Sequence, residues 1–248
     1  MDRPPIREFR GRAKWAGVIG NLLLAGLGVG LAWIGFAAVP GDVAAVRALA
    51  WYTVAAALVT LGLAIATAAT RRLPALRESR LEGAPALVAR SWAAEWWYAV
   101  ALDAGLVVLA GVLVGLGVDA GGSWVLGTVA VALVGAYFLV RVILTITGRR
   151  RNHALWLTPH EIVHDAPWGR ERVRREQVVR VRPATASAEL VLEVDGPVGR
   201  QVCPRPWRRT RLDAGSSRIV ADCSMTAHEA GDLAAWLGSE LGVCAAGR

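Results

Sequence analysis

Between Trp124 and Ile146 the chain runs through 23 positions carrying one charge, Arg141, and then meets Thr147, Gly148 and three consecutive arginines, Arg149, Arg150 and Arg151. At ~1.5 Å per residue such a run makes a helix of about 34 Å, enough to cross a hydrocarbon layer of ~30 Å. No soluble fold readily buries a segment so long and so uniformly apolar. Three more runs precede it. The first, residues 15–39, closes at Pro40-Gly41-Asp42, whose residues favour a turn. The second, 44–70, follows at once, so the two form an antiparallel hairpin. The third covers 96–118, and Asp119-Ala-Gly-Gly-Ser123 turns the chain into the fourth, 124–146.

The composition agrees: 54% of the 248 residues are hydrophobic and the mean hydropathy is +0.41, an excess that the four runs account for. Arg71, Arg72, Arg77, Arg80 and Arg90 crowd the second connection, whereas the first and third offer mainly Asp42 and Asp119. By the positive-inside rule both termini and the 71–95 loop are cytoplasmic. The first run follows Arg3, Arg7, Arg10, Arg12 and Lys14, is longer than a signal-peptide core, and reads as an anchor that stays. The +8 net charge is then a membrane-flank property, and neither a recognition helix nor a basic-aromatic platform points to nucleic acid. Lys14 is the only lysine among 28 basic residues, a bias that suggests a GC-rich bacterial genome. Cys203, Cys223 and Cys244 lack paired spacing and read as reduced thiols.

The expected organisation is a basic N-terminus (1–14), a four-helix transmembrane bundle (15–148) and a cytoplasmic domain (149–248). Within the 71–95 loop, Pro74 and Pro85 suit first helical turns and Leu73, Leu76, Leu81 and Leu87 alternate with arginines, so the loop reads as a surface-lying helix or as a solvated linker. Beyond Arg151 the hydrophobic period shortens. Short β-branched runs appear at 153–157, 162–164, 171–173, 178–181, 189–194, 200–202 and 219–221. Thr226-Ala-His-Glu229 has the form of a capping box ahead of an amphipathic helix to Leu241, with Leu233, Trp236, Leu237 and Leu241 on one face. With Leu157-Thr158-Pro159, the turn Trp168-Gly169-Arg170 and the strand entry Glu176-Gln177-Val178, this order of elements resembles the pleckstrin-homology-like (PH-like) domains that follow transmembrane hairpins in many actinobacterial membrane proteins. The resemblance implies a β-rich domain closed by one helix, serving as a docking or assembly module without catalysis, cofactor or metal.

Three constellations could carry chemistry. His160-Glu161-Ile162-Val163-His164 matches the zinc-protease pattern, in which two imidazoles one helical turn apart share the ion and the glutamate activates its water. Pro167 and the β-branched pair Ile162-Val163 oppose the helix that this chemistry needs. Asp103 and Arg141 lie at matching depth toward the cytoplasmic side of spans three and four, so an ion pair fixing the helix register is expected, with an ion or proton path, and hence a small transporter or channel subunit, as the alternative. Arg149, Arg150 and Arg151, with the loop bearing Arg205, Trp207, Arg208, Arg209 and Arg211, could press onto anionic lipid or a partner. Gly26 and Gly30, and Gly111 and Gly115, have the small-residue spacing of close helix approach, within one bundle or between copies of the chain. The expectation is a non-catalytic inner-membrane accessory or assembly protein, whose partners are the bilayer and another membrane protein.

Overall fold

A computed structural model of the chain describes residues 3–37, 43–167, 169–184, 188–202, 211–214 and 217–243. The chain divides into two compact units, one of residues 10–70 and 94–146, the other of residues up to Phe9 together with 71–93 and 147–248.

The first unit is helical. Its helices are α1 (Arg12–Ala37), α2 (Ala44–Ala69), α3 (Ala93–Ala120) and α4 (Val125–Ile146), each long and apolar enough to cross a membrane, with mean hydropathy between 1.9 and 2.4. Their bounds lie within a few residues of the expected spans. Small residues, not large ones, make the α1–α2 seam. Val18, Ala25 and Ala32 of α1 and Ala50, Ala57 and Ala64 of α2 are buried at intervals of seven, the repeat that keeps one stripe facing a partner helix. A Cβ on Gly35 would come within 2.9 Å of the Ala50 Cβ, and one on Gly28 within 3.1 Å of the Ala57 Cβ. These two glycines let the backbones meet, whereas Gly26, Gly30, Gly111 and Gly115 have no neighbour at the Cβ position. Across α3 and α4 close approaches fall at Gly135, whose Cβ would lie 2.6 Å from that of Ala110, and at Gly117, whose Cβ would run into the Thr128 side chain. Lys14 closes the first hairpin: its ammonium donates to the carbonyls of Ala68 (2.9 Å) and Thr70 (2.6 Å), two acceptors left open where α2 ends.

The second unit is β-rich. Two strands, β1 (Arg77–Leu81) and β2 (Ala84–Arg90), precede α3, and eight more follow α4: β3 (Ala154–Leu157), β4 (Glu161–Ala166), β5 (Gly169–Arg174), β6 (Val178–Pro183), β7 (Glu189–Val194), β8 (Gly199–Val202), β9 (Arg211–Ala214) and β10 (Arg218–Asp222), before the final helix α5 (Ala230–Leu241). All strand pairs are antiparallel. One sheet runs β1-β2-β3-β4-β5-β8-β9 and the other β10-β7-β6, with α5 packed against β6 and β7. The period of two sorts β3 and β4 between two apolar clusters. Leu155, Leu157 and Ile162 join Val181, Leu190, Leu192, Ile219, Leu233 and Leu237 in the main core, while Trp156 and Val163 join Leu81, Ala86 and Val88 on the opposite face.

Two expectations are corrected. Residues 77–90 form neither a surface helix nor a linker, but a hairpin whose second strand pairs with β3, Val88 opposite Trp156 and Leu87 opposite Leu157. Its turn is Glu82-Gly83, both at positive φ (52° and 90°), the backbone a two-residue hairpin loop requires. Nor does the capping box form: α5 begins at Ala230, Glu229 makes no side-chain cap, and the buried Thr226 hydroxyl lies 2.9 Å from the Cys223 carbonyl and 3.0 Å from that of His228.

Candidate functional site

Within the helical unit, Asp103 of α3 and Arg141 of α4 meet. Arg141 donates from Nε to the Asp103 carboxylate at 3.0 Å, and Asp103 is only 5% exposed. The Arg141 guanidinium also lies 5.7 Å and 5.6 Å from the ring centres of Tyr137 and Phe138, so two aromatic faces share its charge. Removed from water, each charge would be costly alone; together they exchange hydration for a hydrogen-bonded ion pair.

In the β unit the arginines after α4 occupy distinct environments. Arg150 is buried, Arg149 half-buried, and Arg151 donates from Nε to the Gly148 carbonyl at 2.9 Å. Behind them Asp165 acts as a hub. Arg170 grips its two oxygens as a fork at 2.6 Å and 3.1 Å, Trp156 Nε1 donates at 2.8 Å, and Arg151 approaches at 3.4 Å. Burial alone would raise the Asp165 pKa, but the hydrogen bonds and charge of Arg170, with Trp156 and Arg151, outweigh it and hold the carboxyl below its ordinary range. Glu82, from the hairpin turn, accepts from Arg172 and from Arg170 (2.9 Å), and its carboxyl is held low chiefly by Arg172. The hairpin that the sequence reading missed thus supplies an anion to the network. Arg149, Arg151 and Arg170, with Thr147, Gly148 and Gln201, line a cleft of about 110 Å³. Arg205, Trp207, Arg208 and Arg209 lie outside the described residues; Arg211 opens β9, opposite Val202 of β8.

The zinc-protease pattern falls on a strand. Glu161 begins β4 and pairs with Arg172 at 3.7 Å, His160 sits exposed in the preceding turn, and His164 is buried with Nδ1 3.1 Å from Glu171. At ~3.3 Å per residue the two histidines stand about 13 Å apart along the chain, too far for ~2 Å bonds to one ion. The described residues include no group of three or more His, Cys, Asp or Glu placed to hold a metal.

The sequence reading passed over a different use of His164. Its ring stacks on His153 at 6.1 Å, and His153 Nδ1 and His164 Nε2 are both buried without a hydrogen-bond partner. Asp222 and Cys223 line the same cavity of about 10 Å³. Burial, then the neighbouring His164, pushes the His153 pKa down, and burial drives the Cys223 thiol up to about 12, leaving it unreactive. Only the β3–β4 register, with Leu155 opposite His164, brings these histidines together.

The segment Cys223–His228 gathers the chain ends that flank the helices. Arg7 donates to the carbonyls of Ser224 (2.6 Å) and Thr226 (3.3 Å), and its backbone N–H to Ala227 (2.8 Å). Ala227 N–H donates to Pro74, and Trp92 N–H to Met225. His228 accepts the Leu76 N–H at Nε2 (2.9 Å) and donates from Nδ1 to the Pro5 carbonyl (2.9 Å), which defines its tautomer. Ser91 N–H in turn donates to His153, just after α4. In comparisons with known proteins the chain matches no family model, and no curated protein or solved structure is similar to it.

Proposed function

We propose that this chain is a non-catalytic accessory or assembly protein of a bacterial inner membrane, with both termini cytoplasmic, whose PH-like β unit docks a second membrane protein or anionic lipid. The observation that carries the reading is the hydrogen-bonded segment Cys223–His228, which ties residues preceding α1, following α2 and preceding α3 into one β framework. The framework thus gathers into one folded unit the segments that flank α1, α2 and α3, as a docking module would require. The excess of arginine on the connections assigned to the cytoplasm supports the orientation. The strand conformation of Glu161–His164 removes the helix that a zinc protease would use.

Crosslinking in the native membrane followed by capture of the full chain tests the proposal: one membrane protein recovered in near-stoichiometric amount is expected, and capture of lipid and of no protein would reduce the reading to lipid docking. The transporter alternative retains the buried Asp103–Arg141 pair as its support. Exchanging the two residues separates the readings, because a structural pair tolerates the exchange and a relay does not.

A further inference from the structure

We infer that the cleft formed by Thr147, Gly148, Arg149, Arg151, Arg170 and Gln201 binds one phosphate group, supplied by the headgroup of an anionic phospholipid. The inference rests on the lipid-docking part of the proposed function and narrows it to one site.

A guanidinium carries five N–H donors. Arg170 directs Nε and Nη2 to Asp165 and Nη1 to Glu82, and Arg151 directs Nε to Gly148 and Nη1 to Asp165. Each group therefore keeps N–H bonds that these partners do not use, and the Gln201 amide and Thr147 hydroxyl border the same space.

Asp165 is buried and its oxygens are already met by Arg170, Trp156 and Arg151, so it fixes the Arg170 and Arg151 guanidiniums from behind while adding no carboxylate to the cleft lining, which among the described residues contains three arginines and no acidic residue. Arginines held in place before the ligand arrives lose little side-chain entropy on binding, the arrangement that favours planar, multidentate recognition of phosphate. The cleft volume admits a tetrahedral oxyanion and excludes an acyl chain.

Position selects the source. Thr147 directly follows the last residue of α4, and two residues of chain reach at most about 7 Å. That is the depth of a headgroup layer, ~5–8 Å on each side of the hydrocarbon. A lipid phosphate is thus supplied at high local concentration, whereas a free phosphate must come from bulk solution.

The test uses the full-length protein in detergent, with native mass spectrometry after addition of phosphatidylglycerol, phosphatidylcholine or inorganic phosphate. Retention of one phosphatidylglycerol, about tenfold favoured over phosphatidylcholine, is expected, because both carry the phosphate but the choline cation of the latter sets a like charge beside the arginines, a penalty of about the size of one charged contact. Arg151→Gln and, independently, Gln201→Ala should each weaken retention, Arg151→Gln by about tenfold, with unchanged thermal unfolding of the lipid-free protein showing that the fold survives. Undiminished retention in both variants overturns the inference, as does displacement of the lipid by millimolar inorganic phosphate. If the wild-type chain still prefers phosphatidylglycerol vesicles after either of those results, the broader lipid-docking reading stands and only the single site is lost; no preference for anionic vesicles removes both.

Discussion

The two units solve the burial problem in opposite ways. In the helical unit the buried seam is built from Ala and Gly, and Leu23, Trp33 and Leu126 point outward, 69%, 72% and 83% exposed. In the β unit Leu190, Leu192 and Ile219 are fully buried, and arginines such as Arg170 and Arg182 grip carboxylates. Lipid is as apolar as leucine, so a membrane helix gains nothing by hiding large side chains and gains close packing by placing small ones at its seam. Water imposes the reverse. The same contrast governs charge: the paired Asp103 and Arg141 inside the helical unit, against an Arg-carboxylate lattice across the β1–β2 turn, β4, β5 and β8.

The largest effect is expected at the ion pair. Asp103→Leu strands Arg141 and should cost ~3–5 kcal/mol, read as a lowered unfolding midpoint in detergent, while the double exchange Asp103→Arg with Arg141→Asp recovers most of it. Next, Leu192→Ala in the β core should cost about 2–5 kcal/mol, whereas Leu23→Ala on α1 should scarcely change stability; equal losses would show that α1 packs its outer face against protein. Gly35→Val should cost about 1–3 kcal/mol through overpacking against Ala50, and Gly26→Val should be near neutral unless a second copy covers that face. Gly83→Val places a β-branched side chain at φ 90° and should cost about 1–2 kcal/mol, loosening the Glu82 contacts that the hairpin provides. The smallest effect is the pH response. Because the His153 pKa is lowered in the folded chain, the unfolded chain binds more protons as the pH falls below the ordinary histidine value of 6.5, so folding stability should decline there, and His153→Asn should flatten the decline in thermal unfolding curves.

Legibility in the sequence followed the length of the signal. Four apolar runs longer than 20 residues predicted α1 to α4 to within about three residues at each end, because so long an unbroken apolar pattern leaves little choice but a helix long enough to cross a membrane. The pairing of Asp103 with Arg141 was also readable, since depth along two antiparallel helices follows from counting. β7 was recovered over its full length from Glu189 to Val194 by simple alternation. The β1–β2 hairpin was not, because Arg77, Glu78 and Arg80 face outward and left the strand only Leu81 as an apolar marker; Glu82-Gly83 between two short runs was the signal available. Thr226 and Glu229 had capping-box spacing, yet Thr226 was taken by the loop that receives Arg7, a contact 219 residues away in sequence. The stacking of His153 on His164 depended on strand register, and the cleft at Thr147–Arg151 depended on Arg170 and Gln201, neither of which local pattern could place.

That same Cys223–His228 segment sets an order on biogenesis. Arg7, Pro74 and Trp92 leave the ribosome long before it does, with α1 and α2 between Arg7 and Pro74 and α3 and α4 between Trp92 and Cys223, so the β unit is completed only once the last of its strands has been translated with all four helices already made. A chain stalled with a span in the wrong place would leave Arg7 or Leu76 without its acceptor, and the β framework would remain visibly open to the quality-control proteases that survey the membrane.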